Sequence, residues 1–582
     1  MAHLTKLKSA ATLNDVALLL GVQPASLAFI LYKIPEHQKY TKFPVPKKSG
    51  GERIISAPDP RLKMVQKRLA KLLKNCQLEV EAILKVKSQC VLAHGFKPGL
   101  SIQTNAANHR GQRWVLNADL QDFFPSINFG RVYGFFIKNH HYMLNKKVAT
   151  IISQIACHEN TLPQGSPCSP VLSNMIAHML DIRLNELASS NRCTYTRYAD
   201  DLTFSTSERV FPSRIAKRDP SSLHKWVAGA GLSKRVEKAG FAINGKKTRL
   251  QYRDSRQDAT GLVVNEKVNV KSEYYKLARA MCWHLMTKGS AHLKVGSIPV
   301  PVDAKKVRGM LAFIYHVKRW DDDRTKVPKE EIEKRAYYRV YADFLNYISF
   351  FGQPHMTIVC EGKTDNVYLR CAVRSLAALY PSLIQVKGKK RNFLLQLFKF
   401  TKTADAVQHL SGGASQLSNL LSEYRKRIKN CKGTPQHPTV IVVDNDSGPE
   451  KLFKHLSSLL KKDVDGSDPF YFVYENLYVV PVPKIGGAFT AMEQLFESHV
   501  LKEKLNGRIL DLTNKEPDGT KFYSKNEFSV EIIQKKQASI KFDGFKPLLN
   551  ALVAVQNDYA GKISAKKAAI PAPAPAPAPA AP

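Results

Sequence analysis

Two aspartates stand side by side at Asp200-Asp201, and their surroundings leave few ways to fold. Thr194–Ser207 reads TYTRYADDLTFSTS, with an alternating strand-like run on each side of the acids. That pattern predicts a hairpin with two carboxylates at its tip. Adjacent carboxylates repel, and burying both is costly unless a cation compensates. A third acid has a matching context. In Arg113–Asn128, RWVLNADLQDFFPSIN, the apolar run Trp114–Leu116 predicts a buried strand, Asp119 follows at its end, and a helix is expected from Ser126 onward.

Acids converging from two strands suit nucleotidyl transfer, which uses two Mg²⁺ ions roughly 4 Å apart, one at the attacking hydroxyl and one at the triphosphate. Mg²⁺ is hard and prefers carboxylate oxygens. The charge agrees with a polyanionic partner: 88 Lys and Arg stand against 49 Asp and Glu, a formal net charge of +39. A surplus of that size points to nucleic acid. No basic amphipathic anchor or lipidation motif points to a membrane instead. The apolar stretch Val16–Ile34 is interrupted by Gly21, Gln23 and Pro24 and lacks a signal-peptide cleavage pattern. Nine scattered cysteines form no CxxC pair and read as free thiols in a reducing compartment, so a cytoplasmic location is expected.

The motifs resemble those of reverse transcriptases. Tyr198-Ala199-Asp200-Asp201 looks like their YxDD signature, and Asp119 with Phe123-Phe124 looks like their first catalytic motif. Pro163–Pro170, PQGSPCSP, resembles the QGxPxSP loop, and Ile243–Thr248 resembles a later motif that carries a lysine, here Lys247. The resemblance implies an α+β right-hand polymerase of fingers, palm and thumb over residues 1–320. It makes Asp119, Asp200 and Asp201 the catalytic ligands of two Mg²⁺ ions. It gives Arg53, Gln164, Gly165 and Lys247 contacts to deoxynucleoside triphosphate or template, and makes Phe124 the steric gate against a ribose 2′-OH. Arg53 closes a basic turn, Lys47-Lys48-Ser49-Gly50-Gly51-Glu52-Arg53, expected between strands of the fingers.

Two further segments resemble bacterial retron reverse transcriptases. Asn105-Ala106-Ala107-Asn108-His109 matches their NAxxH motif, and Ala259-Thr260-Gly261 resembles VTG with Ala in place of Val. The retron resemblance implies a cognate structured noncoding RNA as partner. It implies priming from an internal guanosine 2′-OH and a branched RNA–DNA product, msDNA. The basic stretch Met281–Lys326 would help hold that RNA. A group II intron-type enzyme is the alternative, and homo-oligomerisation is left open.

Downstream, His355–Cys360 predicts a strand followed by Glu361-Gly362-Lys363-Thr364-Asp365, and Thr439–Val443 predicts another followed by Asp444-Asn445-Asp446. Strands alternating with helices predict a parallel sheet whose C-terminal edge carries the acids. The pattern resembles a TOPRIM domain over residues 353–505, an α/β fold with a mainly parallel sheet. Carried over, Glu361 is a general acid/base, Asp444 and Asp446 bind Mg²⁺ or Mn²⁺, and Glu493 matches an additional acid of OLD-type nucleases. That implies an effector nuclease in antiphage defence, with a catalytically inactive RNA-binding scaffold as the alternative. A helical linker is expected at 321–352, a C-terminal extension at 506–564, and an extended Ala/Pro tail at 565–582.

Overall fold

The computed structural model describes residues 2–47, 50–84, 91–222, 225–388, 390–445, 450–488, 490–512 and 519–568. Lys48, Ser49, Cys90, Asp446 and the Ala/Pro tract from 569 onward lie outside them. The chain divides into two compact units. One runs up to Ser272 and includes Val317–Thr325; the other joins Glu273–His316 to the chain from Lys326 on.

The first unit is organised by an antiparallel sheet. Its order is Thr194–Tyr198, Asp201–Thr206, Trp114–Gln121, Ala242–Ile243, and Arg249–Tyr252 also pairs with Trp114–Gln121. Helices Pro60–Ile83 and Ser169–Ser189 bury Leu62, Val65, Leu69 and Leu172, Leu180, Leu184 in one core with Leu116 and Phe204 of the sheet. The helix expected from Ser126 begins later, at Phe129, because Asn128 caps it: its Oδ1 accepts the Arg131 N–H at 2.9 Å. Residues 40–58 form a hairpin of strands Tyr40–Pro46 and Glu52–Pro58. Val16–Ile34 is broken between helical segments Leu13–Leu19 and Pro24–Lys33, which meet at a 107° bend, and Val16, Ala17, Leu27 and Ile30 are buried. No single helix among the described residues is long and apolar enough to cross a membrane.

The second unit is built on strands in the order Leu395–Leu397, Met356–Val359, Thr439–Val443, Leu477–Pro481, Tyr471–Tyr474. The first three pairings are parallel and the last is antiparallel. Met356–Val359, Thr439–Val443 and Leu477–Pro481 are buried along their whole length, as strands covered on both faces must be.

Three boundaries differ from expectation. The segment read as a linker contains helix Ala336–Phe350, whose Tyr337, Tyr338, Tyr341 and Phe344 are buried. Tyr315 packs against that helix, 5.2 Å from Tyr341 and 6.1 Å from Tyr337, and Glu273–His316 joins the second unit while Val317–Thr325 belongs to the first. The segment read as an appended extension supplies Phe528, Ile532, Phe545, Leu548, Leu552 and Val555 to the same core as Ile358, Val440 and Tyr478. Tyr559 Oη also donates to the Pro435 carbonyl at 2.7 Å. The expected tail starts inside a helix, Lys546–Ala568, where Ala and Lys favour helical geometry.

Candidate active site

The hairpin forms, and its register does what paired carboxylates require. Asp201 lies directly opposite Asp119 across the sheet, Tyr198 opposite Asp201, and the Leu120 N–H donates to the Asp200 carbonyl at 2.9 Å. The turn needs a residue in the left-handed region, and Ala199 takes it at φ +56°. Beneath the turn, a buried ion pair holds it. Arg197 makes a two-pronged pair with Asp181, both N···O distances 2.7 Å, and its third nitrogen donates to the Ala199 carbonyl at 3.0 Å. Tyr195 Oη donates to the same Asp181 at 2.9 Å. Asp181 was not singled out in the sequence, although an acid on the apolar side of helix Ser169–Ser189 is the kind of signal that predicts a buried partner.

The three acids share one cleft. Lys247 Nζ donates to both carboxylate oxygens of Asp119, at 3.0 and 2.9 Å. That contact raises the Lys247 pKa above its ordinary value. Asp200 is held above the usual carboxylate range by desolvation and by Asp119, while Lys247 and Arg53 pull the other way. Asp201 is open to solvent on one side, but protein crowds its carboxyl on the other. That desolvation, followed by repulsion from Asp200 and Asp119, pushes it up to about 6. The cluster is therefore short of positive charge. Its all-oxygen donor set suits a hard divalent cation. Among the described residues no three carboxylate, His or Cys side chains stand in a closed metal-ligand geometry. At this cleft the Lys247 ammonium occupies both oxygens of Asp119.

The other sequence-marked residues fall into two groups. Some border the cleft. A cavity of about 270 Å³ is lined by Asp119, Asp201, Lys247, Thr260 and Gly261. Thr260 and Gly261 both have positive φ, +49° and +80°, in a two-residue turn between short strands. That conformation explains the glycine and leaves the β-branched Thr260 strained. The Gln164 carbonyl accepts the Ser56 N–H of the 40–58 hairpin at 2.8 Å. Gly165 sits at φ +129°, and a Cβ there would lie 2.5 Å from the Ser56 carbonyl, so only glycine allows this approach. Phe124 is half-buried against Phe123 and Phe96, with ring centres at 5.4 and 6.3 Å.

The second group is internal. Asn105, Ala106 and His109 are buried. His109 bridges the two strands of the Asp200-Asp201 hairpin: Nδ1 lies 2.7 Å from Ser205 Oγ and Nε2 2.7 Å from Thr196 Oγ1. Burial lowers its pKa to about 3, so it is neutral. Within the NAxxH segment, Asn105, Ala106 and His109 thus pack inside the first unit and His109 braces the sheet, while Ala107 is half-buried and Asn108 is exposed.

A second cluster of acids lies at the edge of the parallel sheet. Glu361 follows strand Met356–Val359 and Asp444 follows Thr439–Val443. Desolvation, then Asp365, Glu493 and Glu361, push Asp444 up to about 8. Glu493 is buried and ion-paired to Lys525 at 3.2 Å. Asp365 went unassigned in the sequence because it looks like a helix cap: its Oδ2 does accept the Gly362 N–H at 2.7 Å. It is nevertheless buried and raised above the carboxylate range, mainly by desolvation. Gly412 and Gly413 hold the Glu361 backbone from below, the Gly413 N–H donating to the Glu361 carbonyl at 2.8 Å.

A family model described as reverse transcriptase (RNA-dependent DNA polymerase) matches residues 45–270, the span that contains the palm sheet. The retron Ec86 reverse transcriptase of Escherichia coli is 32% identical over 327 residues, covering 56% of this chain and 90% of that one. The chain belongs to the retron reverse transcriptases. The retron Mx65 enzyme of Myxococcus xanthus is 36% identical over 320 residues, 52% of this chain and 67% of its own. Retron Mx162 reverse transcriptase, from the same organism, is 33% identical over 339 residues, 54% and 64%. As a retron reverse transcriptase, the protein is an RNA-directed DNA polymerase with a right-hand polymerase fold. The family model ends at residue 270, before the second acid cluster.

Proposed function

We propose that Asp119, Asp200 and Asp201 are the metal ligands of DNA synthesis, and that this polymerase copies a cognate structured noncoding RNA into a branched RNA–DNA molecule. The observation that carries the metal assignment is the register placing Asp119 opposite Asp201 with Asp200 at the turn. Two Mg²⁺ ions, when bound, supply Lewis acidity at the primer hydroxyl and at the triphosphate. The protein's own groups do the rest. Lys247 balances Asp119 in the resting cleft, and Arg53, whose charge acts on Asp200, meets the triphosphate. Gln164 and Gly165 seat the template-side loop on the 40–58 hairpin, and Phe124 bounds the sugar pocket and selects deoxynucleotides. The test is to sequence the nucleic acid that co-purifies with the full chain. A covalently branched RNA–DNA molecule is expected; unbranched intron RNA would overturn the retron product and favour an intron-type reaction.

The second unit is read as a TOPRIM nuclease effector acting in antiphage defence. Its support is the grouping of Glu361, Asp365, Asp444 and Glu493 at the strand ends of a parallel sheet, with Asp444 held largely protonated at neutral pH without metal. Such a surplus of carboxylate suits Mg²⁺ or Mn²⁺. Asp446, the second acid of the DxD, lies outside the described residues. Glu361→Ala should leave DNA synthesis intact and remove protection in a phage challenge. Persistent protection would favour the scaffold reading.

A further inference from the structure

The second unit contains a cavity of about 660 Å³, a size suited to a small-molecule ligand, that neither acid cluster uses. Its walls come from three helices distant in sequence. Lys276, Arg279 and Trp283 project from one face of helix Ser272–Lys288, at the three- and four-residue spacing that aligns side chains. Asp343 comes from helix Ala336–Phe350, and Lys429 and Lys432 from the end of helix Ala414–Ile428 and beyond. Two hydrogen bonds tie the walls together. The Lys432 N–H donates to the Met286 carbonyl at 2.9 Å, and Asn430 Nδ2 donates to Asp343 Oδ2 at 2.9 Å. The cavity is thus formed in advance of any ligand.

Its chemistry is uneven. Four cationic side chains, Lys276, Arg279, Lys429 and Lys432, face one carboxylate, Asp343. None of the four forms an ion pair with a carboxylate among the described residues. Gathering cations in a concavity raises the local positive potential and favours an anion. A simple anion would leave the aromatic wall unexplained. Trp283 is 54% exposed, with His284 edge-on at 5.1 Å and the Lys288 ammonium 5.9 Å from its ring centre. An exposed indole flanked by cations is a stacking platform for a base, and stacking is tolerant of sequence because every base has a π-face. Asp343 adds an acceptor for an amino or imino N–H of a base edge.

We infer that this cavity is a nucleotide-binding site: Trp283 stacks the base, Asp343 accepts from its edge, and Lys276, Arg279, Lys429 and Lys432 hold phosphate. The site joins the 273–316 segment to the second unit's own helices, and it lies outside the residues matched by the polymerase family model. It depends on neither the nuclease assignment nor the branched product. The ligand is either an unpaired nucleotide of a bound strand or a free nucleotide, and both present the same chemistry.

Two photoprobes separate these sources, each used with the full chain stripped of co-purifying nucleic acid: a five-nucleotide RNA carrying 4-thiouridine, and 8-azido-ATP. Cross-linked peptides are mapped by mass spectrometry, and oligonucleotide affinity is read by fluorescence anisotropy. An adduct on the Trp283 peptide is expected. Labelling by the RNA assigns a strand-borne nucleotide; labelling by 8-azido-ATP that excess ATP suppresses assigns a free one. Trp283→Ala should weaken binding of the labelling probe roughly tenfold, with Trp283→Phe restoring most of it. Lys276→Ala with Arg279→Ala should flatten the salt dependence of oligonucleotide binding by about one unit of slope per residue. Deoxynucleotide incorporation on an added primer–template should be unchanged in all variants, and a thermal melt of the full chain that matches the parent reports that the second unit still folds. No adduct at Trp283 with either probe, together with affinities within twofold of the parent, would overturn the site.

Discussion

The two acid clusters of this chain meet the same electrostatic difficulty with different compensation. In the palm, three aspartates converge from adjacent antiparallel strands and Lys247 sits on Asp119, so the most perturbed acid, Asp201, reaches only about 6. At the parallel sheet four acids gather and Lys525 pairs with Glu493 at 3.2 Å, away from Asp444, which rises to about 8. Burial is the first cause of both shifts, and the neighbouring carboxylates, Asp200 and Asp119 in one site and Asp365, Glu493 and Glu361 in the other, add to it. Both clusters are short of positive charge, and the second is the more strongly perturbed.

The sharpest way to break the comparison is to cross the two sites. Asp201→Asn should lower deoxynucleotide incorporation by at least a hundredfold, since losing a group that merely orients a metal ligand already costs roughly 10–100-fold. Asp444→Asn should leave incorporation at the parent level. Equal loss from both substitutions in a primer-extension assay would show that the clusters are not separate sites. Next in size is the anchor beneath the palm turn. Arg197→Met strands the Asp181 carboxylate in the core and should destabilise the first unit by about 3–5 kcal/mol in urea unfolding. A smaller effect is expected at Gly165→Ala, where the new Cβ meets the Ser56 carbonyl in a left-handed backbone conformation. Strain of roughly 1–3 kcal/mol should appear as lost stability or slower incorporation.

The smallest effect separates the clusters by pH. An acid with a raised folded-state pKa favours the folded state most below its unfolded value, near 3.8, and loses that contribution as pH climbs through the folded value. Metal-free protein should therefore lose second-unit stability between about pH 4 and 8 because of Asp444. Asp444→Asn should raise its melting temperature at pH 8 by roughly 2–4 °C. Metal binding requires the ionised carboxylate, so Mg²⁺ affinity at this cluster should still be increasing at pH 8. At the palm it should level off nearer pH 7, because Asp201 titrates at about 6. Calorimetric Mg²⁺ titrations at pH 6, 7 and 8, repeated with Asp444→Asn, check both slopes.

The palm was legible because its constraints are local. Alternating residues around Asp200-Asp201 dictate a hairpin, and the apolar run before Asp119 dictates its partner strand. The parallel strands were legible for the same reason: Thr439–Val443 is an uninterrupted apolar run. What escaped depends on distance along the chain. Arg197 and Asp181 look like ordinary charges until the helix and hairpin meet, and Asp365 is both a cap and a member of the acid cluster. The bracing contacts of His109 could not be read from the sequence because its two hydroxyl partners, Ser205 and Thr196, come from strands almost ninety residues or more away. Segment 336–350 looked peripheral because its buried tyrosines meet Tyr315 from an earlier helix, and segment 506–564 because its apolar residues belong to a core nucleated elsewhere in the sequence.

That last feature orders events during synthesis. The first unit needs nothing beyond Thr325 and can close while later residues are still being made. The second core takes Leu548, Leu552 and Val555 from helix Lys546–Ala568, so its sheet remains unsealed until that helix emerges. A nascent chain thus has a competent palm well before it has a competent second acid cluster. The polymerase cleft can therefore be occupied before the second acid cluster exists, and in every newly made chain the palm precedes it.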